Sequence, residues 1–334
     1  MMRYFFYLFF IWSFSLFSLS IECDVAVIGT SPFSLLEALY QHHTGNRVVI
    51  IEQANTCGGA WRSINICGVE HVDLGCHQIG HDAQLLHFLE EYVGCTMVSL
   101  DNPQIPYTRS NRNGYYPSRG CYEIIDHLLK LIEKTDIRLF LNHRMESVAV
   151  DPLRTIGIIQ TKDEQILAKK IILPLYTDLR YENHPTMPLS AQQNAPSKYP
   201  HLYLLIKDPG TARFSYHASI GPGISRMMNL TDFTGLTGSG TQLIALQCHG
   251  TANHENGEKY LKLLKEKQLV DPDARLLKVD SYTYEQYHYN SQLIEKNPQA
   301  GVIFESLNTG HIQNLSQYIP RWKMGLQPYQ QAME

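Results

Sequence analysis

The regular alternation of apolar and polar positions becomes readable at Cys23. The run CDVAVIG, Cys23 to Gly29, is apolar, rich in β-branched residues and closed by glycine, which predicts a buried parallel strand. Phe33, Leu36, Leu39 and Tyr40 then fall at helical spacing in Pro32 to Gln41, with proline where a first helical turn tolerates it. RVVIIE, Arg47 to Glu52, is a second apolar strand that closes on a carboxylate. Strand, tight turn, helix, strand and acid make a βαβ unit in about thirty residues. Asp82 to Val93 and Tyr122 to Lys134 predict amphipathic helices, the first stopped by Gly94. Arg138 to Asp151 predicts strand, turn and strand, and Thr155 to Leu173 a β-rich return through Lys162-Asp163-Glu164.

The second half changes texture. Residues 176–199 are rich in Pro, Asn, Gln and Ser and predict a crossing segment. Strand-like runs follow at His201 to Lys207, Ala212 to Ser219, Gln242 to Gln247 and Leu276 to Tyr282, with one helix over Glu255 to Lys267. Gly301 to Leu307 predicts a strand, Asn308-Thr309-Gly310 a turn, and His311 to Tyr318 a helix stopped by Pro320. The fold class is therefore α/β, with a β-rich second lobe.

Ahead of all this stands Met1 to Ser20, one arginine followed by an apolar run relieved only by serine. A basic start, an apolar middle and small residues at Ser18 and Ser20 describe a secretory signal cleaved after Ser20. The rival is an uncleaved anchor, because Tyr4 to Ile21 lies at the lower edge of bilayer-spanning length. Either places the chain in the secretory pathway, outside the cytosol or held to a membrane by residues 1–20. With 28 basic and 32 acidic residues and a net charge of −4, no basic stripe invites nucleic acid. A hydrophobic content of 44% excludes disorder as the main state. The seven cysteines are odd in number and scattered, with no Cys-x-x-Cys and no Cys/His cluster at zinc spacing, so no metal is expected. Asn229-Leu230-Thr231 and Asn314-Leu315-Ser316 fit the glycosylation pattern, but chance alone supplies that many matches in a chain this long, so they decide nothing.

The βαβ unit carries the chemistry. A helix N-terminus offers free N–H groups and a positive dipole end to a pyrophosphate. A carboxylate closing the second strand accepts from ribose hydroxyls, and Glu52 follows Gly29 at about the 20-residue distance such units use. The glycine fingerprint is altered, however: Gly29-Thr30-Ser31-Pro32-Phe33-Ser34 keeps the first glycine and has serines at the next two glycine positions. Serine is a mild departure, and its hydroxyl can itself bond a phosphate oxygen. A plain βαβ unit without nucleotide stays open on these residues alone.

Gly58-Gly59-Ala60-Trp61-Arg62, a few residues beyond Glu52, adds to that unit. Together, Asp24 to Ser63 resembles the N-terminal signature of the FAD-dependent amine oxidases, protoporphyrinogen oxidases and related flavoproteins with an NAD(P)/FAD-binding Rossmann-like domain. The resemblance implies a glutathione-reductase-like FAD-binding domain with Glu52 as ribose acid, the glycine pair passing close to the diphosphate and Arg62 neutralising it. Glycines allow positive φ and close approach, and Arg forks onto phosphate, which gives the match a physical reason. Val72 to His77 resembles the family's Asp-x-Gly segment leading toward the flavin, which makes His77 a candidate flavin-side residue, with a hydrogen-bonded structural histidine as the alternative. Tyr116 to Gly120 looks like its Tyr-Pro-x-Gly-Gly approach, and Met145 stands at the adenine-contact position, acting through its main chain. Thr309 and Gly310 are the candidates for the turn facing the flavin pyrimidine, although the acid expected there is absent.

The resemblance implies residues 21–175 as the first part of the FAD-binding domain, 176–295 as the substrate lobe, and 296–334 as a strand and helix returning to the FAD domain. Cofactor contacts are expected from Gly29, Ser31, Pro32, Ser34, Glu52, Gly58, Gly59, Ala60, Trp61, Arg62, His77, Met145, Thr309 and Gly310. The implied activity is an FAD-dependent oxidoreductase passing hydride from a small-molecule substrate to flavin N5. No nucleophile–base pair is visible, and no catalytic residue is assigned. Two other readings stand beside it: a mutase-like flavin isomerase, favoured if His77, Arg213 and Arg226 converge on a nucleotide-sugar diphosphate, and a member that keeps the fold without catalysis. Arg213, Tyr216, Arg226 and the aromatic group Tyr282, Tyr284, Tyr287 and Tyr289 are candidates for a pocket wall, with ordinary sheet packing as the competing reading.

Overall fold

The computed structural model describes residues 20–74, 79–80, 82–99, 114–151, 153–174, 189–190, 197–209, 216–236, 238–250, 252–286, 303–307 and 317–330. Strand β1 (Ser20–Ile28) leads through a tight turn into helix α1 (Pro32–His43) and strand β2 (Val48–Ile51). An excursion follows: the hairpin β3 (Ser63–Ile66) and β4 (Val69–Asp73), the short β5 (Ile79–Gly80), helix α2 (Ala83–Phe88), β6 (Met97–Ser99) and β7 (Gly114–Pro117). Helix α3 (Tyr122–Ile132) returns the chain to β8 (Arg138–Phe140). Then come β9 (Met145–Asp151), β10 (Ile156–Thr161), β11 (Gln165–Pro174) and β12 (Leu189–Ser190).

Strands β12, β9, β10, β11, β1, β2 and β8 form one sheet in that order, in which β8, β2, β1 and β11 run parallel, while β3–β4 and β5–β7–β6 form small sheets of their own. Beyond β11 the sheet divides. The first part of β11 pairs antiparallel with β10, which continues to β9, while Ile171–Pro174 pair with a strand that arrives much later. Because β1 is covered on both faces, its residues are apolar in succession rather than alternately. Val25 and Val27 pack under α1 with Leu35, Leu36 and Leu39, whereas Ala26 and Ile28 face Met145, Val148 and Ile159 of the β9–β10 layer.

The second body is an antiparallel sheet. Its strands are β13 (Ser197–Lys207), β14 (Tyr216–Gly221), β15 (Ile224–Asn229), β16 (Thr241–Cys248) and, beyond helix α4 (Gly257–Glu266), β17 (Arg275–Gln286), in the order β14-β15-β16-β13-β17. Alternation sorts its faces: Leu202, Leu204 and Ile206 pack beneath Tyr260, Leu261 and Leu264 of α4, while Tyr203 and Met228 turn toward Ile66, Val72 and Tyr116 of the excursion. The chain closes with β18 (Phe304–Leu307), parallel to the end of β11, and helix α5 (Ile319–Gln330).

Several sequence expectations need correction. A helix not foreseen from the sequence runs over Ile319–Gln330, with Pro320 in its first turn, where a missing N–H costs nothing. Residues 311–316 of the expected helix lie outside the described residues, as does most of residues 176–199. The helix expected to run to Val93 is α-helical only to Phe88 and closes as a π-helical turn over Leu89–Val93, with Gly94 at φ 82° ending it as expected. Strand β15 was not expected, because Ile224–Asn229 lacks a clean apolar alternation. Asn229 is buried, its amide donating to Gln242 Oε1 at 2.7 Å, so it is no glycosylation acceptor in the folded chain. Among the described residues no helix is long and apolar enough to cross a membrane. Residues 1–19 lie outside them.

Helix α5 docks on α1 without an intervening side chain: a Cβ on Gly325 would stand 2.7 Å from Tyr40 Cα. The buried Glu37 of α1 accepts from Gln41 Nε2 at 2.9 Å and Trp322 Nε1 at 3.1 Å, and pairs with Arg321 at 2.7 Å. Arg321 also reaches Glu305 of β18 at 3.1 Å. Trp322 stacks between Phe33 and Tyr318, which places the chain's last helix directly behind the first βαβ unit.

Candidate functional site

The sheet changes direction of growth at β1, with β2 on one side and β11 on the other, and open α/β sheets bind ligands outside the carboxyl ends of strands at such a point. At that end Gly29 turns the chain with φ 83° while its N–H donates to Ile51 O at 2.8 Å. Ser31 caps α1: its hydroxyl accepts from Ser34 N–H at 3.2 Å and lies 2.9 Å from the Ser34 hydroxyl. The two serines that replace fingerprint glycines thus engage each other. Pro32 occupies the first helical position. First-turn N–H groups of a helix have no carbonyl behind them, so the dipole end remains available to an anion.

Glu52 is 5% exposed and is fixed from three directions. Its Oε2 receives the Thr30 N–H at 3.0 Å and the Thr30 hydroxyl at 2.5 Å, and Oε1 receives Ala54 N–H at 2.9 Å. Gly58 N–H donates to Thr30 Oγ1 at 3.0 Å and to its carbonyl at 3.1 Å. The glycine pair is needed in its own right: Gly58 has φ 112° and a Cβ there would meet Arg62 Cα at 2.9 Å, while Gly59 has φ 57° and passes beside Ser31. Gly59, Ala60 and Trp61 form a single 3₁₀ turn, and the Trp61 ring meets Phe33 edge-on at 5.9 Å. Turn, acid and glycine pair are therefore one connected cluster.

Arg62 reaches out of this cluster to the second sheet. Its Nη2 donates to the Tyr282 hydroxyl, and its guanidinium lies 5.5 Å from the centre of that ring. Arg62 Nε–H is buried without a hydrogen-bond partner, and among the described residues no carboxylate pairs with it. Tyr284, two residues along the same face of β17, is pushed up to about 12 by burial, with Arg62 opposing and Glu52 adding to the shift, so its phenol stays protonated. Cys57, beside Thr30, is pushed up to about 11 by burial and stays a thiol. Asp280 on that face accepts Cys67 N–H at 2.6 Å, so β17 touches the excursion at successive same-face residues.

The third feature is Asp73, 1% exposed at the end of β4. Its carboxylate accepts from the Tyr116 and Ser63 hydroxyls and from Cys121 N–H at 2.8 Å, at the start of α3; its carbonyl accepts from the Tyr203 hydroxyl at 3.1 Å. Burial and the Asp73 charge hold the Tyr116 phenol well above its ordinary value, which keeps it a donor. Sequence reasoning placed Asp73 in a motif but missed its partners, and it missed Thr30 altogether. A hydroxyl residue directly after the first glycine, with an acid closing the next strand, was the available sign.

Of the expected contacts, Gly29, Ser31, Pro32, Ser34, Glu52, Gly58, Gly59, Ala60, Trp61 and Arg62 gather in this one corner. Met145 begins β9, three per cent exposed with its side chain in the core; the chain enters it from His143, whose N–H donates to Glu52 O at 2.9 Å. His77, Thr309 and Gly310 lie outside the described residues, as do Arg213, Tyr287 and Tyr289. Arg226 is exposed on β15, and Tyr216 lies on β14.

The residues fit a dinucleotide. The helix end accepts an anion, the glycine pair lets chain approach closely, the orphaned Arg62 Nε–H seeks an acceptor, and Glu52 uses three of the roughly four acceptor positions of a carboxylate. Among the described residues no three His, Cys, Asp or Glu side chains gather as for a metal.

Residues 27–92 match the sequence model of the NAD(P)-binding Rossmann-like domain. No curated protein sequence matches the chain. Among solved structures it is similar to the PF1083 protein of Pyrococcus furiosus, at 14% identity and a TM-score of 0.57 over 91% of this chain and 97% of that one. It is likewise similar to reduced UDP-galactopyranose mutase, at 12% and 0.60 over 93% and 94%, and to putrescine oxidase bound to putrescine, at 10% and 0.60 over 94% and 99%. At such identities the likeness establishes the fold: an α/β body with a parallel-rich Rossmann-like sheet, joined to further antiparallel sheets.

Proposed function

We propose that this chain, built on the NAD(P)-binding Rossmann-like fold it shares with putrescine oxidase and UDP-galactopyranose mutase, is an FAD-dependent oxidoreductase acting on a small molecule. The observation that carries the reading is the joining of the Gly29–Ser31 turn, the Glu52 carboxylate and the Gly58–Gly59 pair through Thr30. Gly29, Ser31, Pro32 and Ser34 at the helix end, with Gly58 to Arg62 opposite, would receive the diphosphate. Glu52 would receive the ribose and the Met145 main chain the adenine. His77, Thr309 and Gly310 belong to the flavin end of the proposal. Bound there, FAD would accept hydride from a substrate C–H bond at N5.

The chain's part is position and exclusion of water. Tyr282 holds Arg62 at the boundary with the second sheet, and Tyr284 places a protonated phenol beside it. The lobe bearing β13–β17 is the proposed substrate lobe, and export through residues 1–20 is part of the same proposal.

The absorbance spectrum of the purified protein tests it. The expected result is a blue-region flavin band, from bound or added FAD, that dithionite bleaches. Substrate-dependent bleaching under argon supports an oxidase over a mutase-like isomerase. A colourless protein that takes up no FAD overturns the proposal and leaves a chain that has kept the fold without the cofactor.

A further inference from the structure

Thr30 is fully buried, and every polar group it has is committed within the nucleotide corner. Its N–H and its hydroxyl converge on a single oxygen, Glu52 Oε2, at 3.0 and 2.5 Å. Its hydroxyl and carbonyl oxygens both face Gly58 N–H, at 3.0 and 3.1 Å. The directions are forced. Gly58 N–H can only donate, so Thr30 Oγ1 accepts there and its proton goes to Glu52, at a length typical of a charge-assisted hydroxyl–carboxylate bond. No water competes at a site without exposure.

The consequence falls on Glu52. The terminal torsion of a glutamate is broad, so a lone carboxylate spreads over many orientations. Two donors on Oε2 fix its plane, and Ala54 N–H at 2.9 Å on Oε1 fixes the other end. What remains is an acceptor position on Oε1 with a set direction. Because the same hydroxyl also receives Gly58, the carboxylate plane and the glycine loop share one anchor. We propose that Thr30 is a positioning residue: it orients Glu52 for a ribose hydroxyl and sets the selectivity of the corner for a ribose over a deoxyribose nucleotide. This rests on the FAD reading above, and it concerns a side chain that the fingerprint leaves unspecified.

Calorimetric titration of the full chain with ADP, 2′-deoxy-ADP and 3′-deoxy-ADP tests it. Wild type is expected to prefer ADP over at least one deoxy analogue by about tenfold, the worth of one hydrogen bond to a charged acceptor. Thr30→Val, which keeps the shape and removes the hydroxyl, is expected to weaken ADP about tenfold, leave the deoxy analogue nearly unchanged and so erase the preference. Thr30→Ser restores the hydroxyl and should restore the preference. Equal weakening of all three ligands in Thr30→Val, with the preference intact, would overturn the inference, because a merely structural residue gives that result. If Thr30→Val does not fold, Thr30→Ala carries the same expectation and the same refutation. A wild-type protein that binds neither FAD nor ADP overturns the cofactor reading and this inference with it. That is distinct from a wild type that binds and discriminates through a Thr30-independent route.

Discussion

Two buried carboxylates organise this molecule, and they are used differently. Glu52 in the nucleotide corner and Asp73 at the joint between the sheets each accept three hydrogen bonds. Glu52 draws its donors from Thr30 and Ala54, at most 22 positions away. Asp73 draws on Ser63, Tyr116 and Cys121 through its carboxylate and on Tyr203 through its carbonyl, the last 130 positions away. Asp73 is also enclosed: a Cβ on Gly120 would lie 3.2 Å from Oδ2, and its partners Tyr116 and Cys121 belong to one buried apolar cluster with Ile66, Val72 and Phe233. Glu52 belongs to the same turn-and-glycine cluster from which Arg62 extends, and the Arg62 Nε–H lacks an acceptor. The same hydrogen-bond count thus serves stability in one place and, in the function proposed above, ligand reception in the other. The reach of the partners tells them apart.

Removing each acid should separate the two roles most strongly. Asp73→Ala strands two hydroxyls and a helix N–H in a buried site, at about 1–3 kcal/mol each, and is expected to cost at least about 3 kcal/mol in urea unfolding. Glu52→Gln keeps an acceptor and should cost less than half of that while abolishing FAD uptake. Equal destabilisation by the two variants would refute the division of roles. A smaller effect is expected within the nucleotide corner. Gly58→Ala puts a Cβ at positive φ against Arg62, whereas Gly68→Ala has open space at φ 80° in the β3–β4 turn. Both should lower stability by about 1–2 kcal/mol through backbone strain, but only Gly58→Ala should reduce FAD affinity, read by flavin fluorescence.

The finest test concerns a third acid of another kind. Burial pushes Glu305 up, but the Lys170 hydrogen bond and charge, then Arg321, outweigh it and hold the carboxyl below its ordinary value of 4.5. Its stabilising effect is therefore complete above pH 4.5 and is lost as pH falls through the lowered folded value. Melting temperatures of wild type and Glu305→Gln should differ at neutral pH and converge in acid. A gap that persists at the lowest pH would show that packing, not charge, anchors Glu305.

The difference in reach also explains what the sequence disclosed. The βαβ unit was readable because its periodicities, Pro32 and the closing Glu52 all lie within about thirty residues. The glycine pair was readable because glycine at positive φ leaves few substitutes. The Asp73 partners were not, since nothing local links Tyr116 or Tyr203 to an acid on a different sheet. Tyr282 was picked out as one of several aromatics, but only tertiary contact singles it out for Arg62. The helix that starts at Ile319 was not foreseen because proline near its start reads equally as the end of a preceding helix, and the tie between Trp322 and Glu37 that anchors it is again long-range.

The docking of α5 on α1 has a consequence for how the chain is made. Ribosomes deliver the N-terminal unit first, yet the Phe33 and Tyr40 face of its helix waits for Trp322 and Gly325, and β11 waits for β18 to fill its far half. Until residues 304–325 have been synthesised, that apolar face and that strand edge stay open, the state in which nascent chains associate wrongly. A holding chaperone should therefore matter most in the interval between synthesis of α1 and synthesis of Trp322, and a chain cut before Trp322 should lose solubility.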